Sequence, residues 1–149
     1  MIKGSWRDPE ATAETLRNGC LHTGDLGNFD QEGYLFIIDR SQDMIITSGE
    51  NIYPREVVEV LAHHPTVREA SVIGVPDKQW GEAIKAVVAL VTGQDVTEEE
   101  LIEFCKSRIV SYKNSKSIVF VEELPKNNDA KTVKRELREP YWRGQERRI

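Results

Sequence analysis

Residues 70–91, ASVIGVPDKQWGEAIKAVVALV, contain two apolar runs, 70–75 and 84–91, with a polar interval between them. Val72, Ile73 and Val75 in the first run, and Ile84, Val87, Val88 and Val91 in the second, supply the β-branched side chains that favour extended backbone. Pro76 and Asp77 after the first run, with Thr92 and Gly93 after the second, are turn formers. The reading is two neighbouring strands, and the rest of the chain is placed around them.

Toward the C-terminus, Thr97 followed by Glu100 is a capping-box signature, and Leu101, Ile102, Cys105 and Ile109 form the apolar stripe of the helix it opens. A short strand is predicted over 118–121, then a loop over 125–129, then a basic helix over 130–139 that Pro140 stops. Toward the N-terminus, Pro54 opens a helix whose face is Val57, Val58, Leu61 and Ala62, ended by Pro65. Further back, extended stretches over 21–26 and 34–39 flank a hairpin turn over 28–33, and residues 44–47 extend or follow the hairpin. Asp8 caps a first helix that begins at Pro9 and runs through Leu16 until Asn18 and Gly19 stop it. Alternation of strand and helix from about residue 44 predicts an α+β domain, a small sheet with helices packed on it. Val57, Leu61, Val88, Leu101 and Ile118 are its expected core. Residues 1–40 are too few to bury a core and read as the C-terminal end of a larger N-terminal domain, with 41–149 as a separate small domain.

Composition narrows the function classes. With 39% hydrophobic and 30% charged residues among 149, the chain has the balance of a folded globular protein. A net charge of -5 argues against a general nucleic-acid binder, which needs a basic surface to neutralise phosphates. Basic residues nevertheless crowd 126–148 and acidic ones 98–103, an asymmetry that suits either a solvated terminal helix or a local anionic ligand. Cys20 and Cys105 have neither disulfide-framework nor metal-ligand spacing, and His22, His63 and His64 read as structural. With no apolar run long enough to span a bilayer and no leader pattern, a reducing cytoplasm is the default compartment.

Single motifs decide little. Thr23-Gly24-Asp25 is a plain turn or a carboxylate placed to accept ribose hydroxyls, and Arg40 beside Asp39 is a structural pair or a contact to a ribose hydroxyl or phosphate. The ordered series is more specific. Thr23-Gly24-Asp25, Gly33-Tyr34, Asp39-Arg40, Gly49-Glu50-Asn51-Ile52-Tyr53-Pro54, Gly74-Val75-Pro76-Asp77, Leu124-Pro125-Lys126-Asn127, Lys131 and Lys134-Arg135-Glu136-Leu137 together resemble the C-terminal motifs of the adenylate-forming, AMP-binding enzymes, and in particular acid:CoA ligases.

The resemblance implies a carboxylic acid substrate, a fatty acid among the candidates, that attacks the α-phosphate of ATP with Mg2+ present. CoA then displaces AMP from the acyl-adenylate. It makes Lys131 the catalytic lysine that bridges the two approaching anions, Asp25 and Arg40 nucleotide contacts, and Gln42 the hinge about which the small domain swings. Gly49 falls where backbone approaches the pantetheine arm of CoA, and Trp80, Tyr112 and Lys113 are further CoA candidates. The residues depart from the family pattern at Gln42, where lysine or aspartate is usual, at Ala130, where glycine is usual, and at Ser115, where many relatives have proline.

No Gly-rich phosphate loop occurs, so ATP, Mg2+ and CoA are expected to be held mostly by the large N-terminal domain, which is itself an expected partner. The isolated chain is expected to be inactive. Two other functions stay open: an adenylation domain that loads a carrier-protein thiol, and a stand-alone binding module without turnover.

Overall fold

The computed structural model describes residues 3–110, 113 and 115–145, which divide into two compact units, one up to Gln42 and one from Asp43. In the first unit, helix α1 (Pro9–Thr15) is opened by Asp8, whose carboxylate accepts from the Ala11 N–H at 2.9 Å. A hairpin follows, β1 (Asp25–Phe29) against β2 (Leu35–Arg40). The first strand lies further along the chain than 21–26. The Cys20 and His22 amides instead donate to carbonyls of Arg17 and Thr15, which ties that stretch to the end of α1. The turn between the strands is closed by Asp30, whose carboxylate accepts from the Glu32 and Tyr34 amides at 2.9 Å each, with Gly33 at φ +88°. Phe29, Leu35, Phe36 and Ile37 of the hairpin are all more than half exposed.

The second unit is built on a five-stranded sheet. Strands β3 (Ile45–Thr47) and β4 (Glu50–Ile52) form a tight hairpin, helix α2 (Pro54–Ala62) follows, and β5 (Val67–Asp77) turns back into β6 (Gly81–Leu90). Helix α3 (Glu98–Lys106) precedes β7 (Ser117–Val121), and α4 (Lys134–Trp142) comes last. β6 is central. It pairs antiparallel with β5 along its length, parallel with β7 from Lys85 to Ala89, and with β3 at Gly81. A strand enclosed in this way is apolar continuously rather than alternately, which is why 84–91 carries an almost unbroken apolar run.

Period-two geometry divides those side chains between two cores. Ile84, Ala86 and Val88 join Val57, Leu61, Val72, Leu101, Cys105 and Ile118 beneath α2 and α3. Ala83 and Val87 face the other way, with Ile73, Val75 and Leu124, where Leu137 of α4 packs. Each fully buried leucine or valine here contributes roughly 1.5–3 kcal/mol relative to exposure, and all five expected core residues are buried. α3 carries the expected capping box, both reciprocal hydrogen bonds being present between Thr97 and Glu100.

In the second unit β5 and β6 each begin three residues earlier than the apolar runs, and other boundaries differ as well. Pro76 and Asp77 remain in β5, paired with Glu82 and Gly81, and the turn is Lys78–Trp80, organised by the Asp77 carboxylate accepting from the Gln79 and Trp80 amides. α3 ends at Lys106, so Ile109 packs on the core from beyond the helix. α4 begins four residues later than 130 and carries Pro140 inside it. Residues 126–132 are occupied instead by a small antiparallel bridge, Lys126 to Thr132. α4 is held to the sheet by the Trp142 indole N–H, which donates to the Gly74 carbonyl of β5 at 3.0 Å, and this covers part of an outer strand. Among the described residues no helix is long and apolar enough to cross a membrane.

Candidate functional site

In the first unit, Asp25 and Arg40 are cross-strand partners at the open end of the β1–β2 hairpin. Arg40 Nε lies 3.5 Å from Asp25 Oδ1, with the arginine side chain 62% exposed. The carboxylate is aimed by local geometry: the Asp25 amide donates to the Thr23 hydroxyl at 3.1 Å, and Gly24, at φ +77°, lets its carbonyl accept from both the amide and the hydroxyl of Ser41. An ion pair this exposed is worth little to stability, roughly 0–1 kcal/mol, so both groups remain accessible to a polar ligand.

In the second unit, Lys131 sits before α4, in the loop closed by the Lys126–Thr132 bridge, not at the helix start. Asn127 organises this loop. Its amide donates to the Lys131 carbonyl at 2.9 Å and its carbonyl accepts from the Ala130 amide at 3.0 Å. Its side-chain oxygen accepts from the Asp129 amide at 3.0 Å and the Lys131 amide at 2.9 Å. Ala130 takes φ +59°, the left-handed region that glycine enters without cost. The missing glycine therefore does not abolish the loop conformation; alanine adopts it under strain. The base of the loop is tied to the sheet by Lys126 Nζ, 2.7 Å from Glu69 Oε1. Lys131 itself is exposed, and no side chain among the described residues pairs with its ammonium group.

Gly49 lies at the tip of the β3–β4 hairpin. Ser48 at φ +53° and Gly49 at φ +82° make a two-residue turn of the primed type, which requires positive φ at both central positions. A Cβ on Gly49 meets nothing within 4 Å, so the backbone angle alone accounts for glycine in this chain. Trp80 is adjacent: its carbonyl accepts from the Ser48 amide at 3.0 Å, the residue is 39% exposed, and Lys116 Nζ stands 5.7 Å from the ring centroid. The fold thus brings Gly49 and Trp80 together and adds Lys116, a cation that sequence spacing could not find because β3, β6 and β7 meet only in the folded sheet. Lys113 points elsewhere, its ammonium 2.5 Å from Glu56 of α2. Tyr112 lies outside the described residues.

Gln42 is exposed in a short 3-10 turn, Ser41–Asp43. Its neighbour Asp43 is anchored: Lys134 Nζ lies 3.2 Å from Asp43 Oδ2, and Arg138 pairs with Oδ1. These cations stand at i and i+4 on α4, a pairing no local pattern announces. A pocket of about 460 Å³ opens beside the β5–β6 turn, lined by Asp77, Lys78, Glu82 and Trp142 among others. None of the expected site residues lines it. Among the described residues no cluster of His, Cys, Asp and Glu could hold a metal ion.

The chain resembles known proteins. The family profile described as the AMP-binding enzyme C-terminal domain matches residues 56–131, just over half of the chain. A 2-succinylbenzoate–CoA ligase of Bacillus mycoides is 50% identical over 135 residues, covering 91% of this chain and 28% of its own length. Among solved structures, ATP-bound MatB from Rhodopseudomonas palustris superposes with TM-score 0.84 at 38% identity over 93% of this chain and 28% of its own. The o-succinylbenzoate CoA synthetase of Bacillus subtilis, in complex with its acyl-adenylate OSB-AMP, does so with TM-score 0.85 at 40% identity over 92% of this chain and 28% of its own. The chain thus spans a little over a quarter of the length of the relatives it matches, and with the profile covering residues 56–131 it belongs to the AMP-binding enzyme C-terminal domain family.

Proposed function

We propose that the chain is the C-terminal part of an ATP-dependent acid:CoA ligase, with Lys131 as its catalytic lysine. In the first half-reaction a substrate carboxylate oxygen bonds to the α-phosphorus of ATP, the bond to the pyrophosphate oxygen breaks, and an acyl-adenylate forms. In the second, the CoA sulfur bonds to the acyl carbon and AMP leaves. The observation that carries this reading is the presentation of Lys131: an exposed ammonium with no partner among the described residues, on a loop fixed by four hydrogen bonds at Asn127. A cation so held stabilises charge where two anions meet without first having to reorganise. Asp25 is the ribose contact and Arg40 a ribose or phosphate contact in this reading. Gln42 is the pivot, next to an Asp43 anchored on α4. Gly49 and Trp80 remain assigned to the CoA path, whereas the Lys113 ammonium is engaged by Glu56 of α2 and is not.

The exposed apolar face of the β1–β2 hairpin supports residues 1–40 as the edge of a larger N-terminal body, since a two-stranded sheet is marginal alone. That body would carry the acyl pocket and most contacts to ATP and CoA, leaving the isolated chain inactive. Mg2+ would accompany ATP on that body; among the described residues no cluster of metal ligands occurs. The first acid to try is 2-succinylbenzoate, on the strength of the 50% identical relative, in preference to a fatty acid. The acceptor is less constrained, since an amide bond synthetase from Marinactinospora thermotolerans superposes at 40% identity with TM-score 0.81.

The test is Lys131→Ala in the ligase that contains this chain. ATP–pyrophosphate exchange should fall by about 100-fold or more, the scale of losing one charge-stabilising donor, while thioester formation from supplied acyl-adenylate stays near wild type. Equal loss in both half-reactions refutes the role.

A further inference from the structure

The chain builds one loop design twice. In Asp30–Tyr34 the first residue's amide donates to the fifth residue's carbonyl at 3.0 Å, and its carbonyl accepts from the fourth residue's amide at 3.2 Å. Its side-chain oxygen accepts from the third and fifth amides, at 2.9 Å each. In Asn127–Lys131 the same four bonds recur, at 2.9, 3.0, 3.0 and 2.9 Å. The fourth residue has positive φ in both, Gly33 at +88° and Ala130 at +59°. The sequences DQEGY and NNDAK share little but the Asx residue at the first position. What the two loops have in common is an acceptor oxygen that gathers two amide N–H groups which otherwise point into the loop without a partner.

We propose that Asn127 is a positioning residue for Lys131, acting through the acceptor oxygen of its side chain. This rests on the reading of Lys131 given above. The bond from the Lys131 amide to Asn127 Oδ1 fixes the backbone from which the lysine side chain departs. The bond from the Asp129 amide to the same oxygen holds the turn in front of it. Loop closure by Asn127 matters more here than in the Asp30 loop, because the fourth position lacks the glycine that makes the conformation free of strain. Without Oδ1, Ala130 is free to relax toward negative φ, which swings the Lys131 Cα–Cβ direction away. A displacement of about 1 Å at a reacting group costs on the order of 100-fold in rate.

Two variants in the ligase containing this chain separate positioning from simple stability. Asn127→Ala removes the acceptor, and Asn127→Asp keeps an oxygen in the same place. The expected result is a fall of about 10- to 100-fold in kcat for ATP–pyrophosphate exchange in Asn127→Ala, with KM for ATP little changed. Asn127→Asp should stay within about threefold of wild type, and thioester formation from acyl-adenylate should be unaffected in both. Hydrogen exchange at the Asp129 and Lys131 amides should accelerate in Asn127→Ala and not in Asn127→Asp, a readout independent of activity. Unchanged exchange kinetics in Asn127→Ala, equal damage by Asp and Ala, or parallel loss in both half-reactions overturns the proposal. If Lys131→Ala itself leaves ATP–pyrophosphate exchange intact, the function assigned to Lys131 fails, and the amide exchange rates still decide whether Asn127 holds the loop.

Discussion

Replacing Ala130 with glycine should make the protein more stable, although glycine substitution ordinarily does the reverse. Ala130 sits at φ +59°, where an L side chain crowds its own carbonyl at a cost of about 1–2 kcal/mol. Glycine removes that cost and adds conformational freedom to the unfolded chain, which offsets about 0.4–1 kcal/mol. The difference is a net gain of about 0.5–1 kcal/mol. For a protein of this size that raises Tm by about 1–4 °C, measured by calorimetry or circular dichroism alongside urea unfolding. The slope against urea should not change, since the variant alters neither compactness nor the surface exposed. Ala130→Val should move Tm the other way, because a β-branched residue tolerates left-handed backbone less well than alanine. The mirror experiment is Gly33→Ala in the sister loop, expected to speed exchange of the Tyr34 amide, which now donates to Asp30. A Tm for Ala130→Gly equal to or below wild type shows that residue 130 is not held in the left-handed region in solution, and the strain argument fails with it.

Asp43→Asn leaves Lys134 and Arg138 facing each other without their carboxylate; with the Asp43 side chain only 13% exposed, the loss in urea unfolding should be about 2 kcal/mol, less than the ~3–5 of a fully buried pair. A loss below about 0.5 kcal/mol would class the triad with ordinary surface pairs. Glu100 accepts hydrogen bonds from the Thr97 backbone and then from its hydroxyl, which hold its carboxyl below the usual 4.5. Its folded value being the lower, its contribution is present above the ordinary glutamate range and fades as pH falls through the folded value. An acid titration of Tm should therefore be slightly flatter for Thr97→Ala, which removes the hydroxyl bond but keeps the backbone one and loses about 1 kcal/mol at neutral pH; a steeper titration refutes the coupling. Burial pushes the Cys105 thiol up while Cys20 is exposed, so iodoacetamide should alkylate Cys20 in the native protein and Cys105 only on unfolding. Equal labelling of both in the native state would contradict the packing under α3.

Much of the second unit was legible because its signals are local. Thr97 and Glu100 satisfy each other within one helical turn, Pro54 opens α2, and the β-branched runs around residues 72 and 87 are strand in either register. Boundaries differ where a specific hydrogen bond a few residues away, rather than the propensity of the segment, sets them. Residues 20–22 are drawn to the end of α1 rather than into the hairpin, and Pro76 stays in β5 because the turn is closed by Asp77. α4 begins later than its residues alone predict because the bridge between Lys126 and Thr132 takes positions that read as helix.

The sequence by itself determined the α+β class, the helices with their caps, and the ordered motifs that point to an adenylate-forming enzyme, since each rests on neighbours within a few positions. Only the tertiary structure decided that Lys116 stands over Trp80 beside the Gly49 turn, and that Asp43 is gripped by two cations about ninety residues away. It also decided that Lys131 departs from an Asx-closed loop with a strained alanine. Hydrogen bonds and caps that close within one turn are encoded by adjacent residues, though the conformation of the Asn127 loop, with alanine at positive φ, had to be seen in the fold; the meeting of side chains from different elements depends on sheet order and register, which the whole core sets at once.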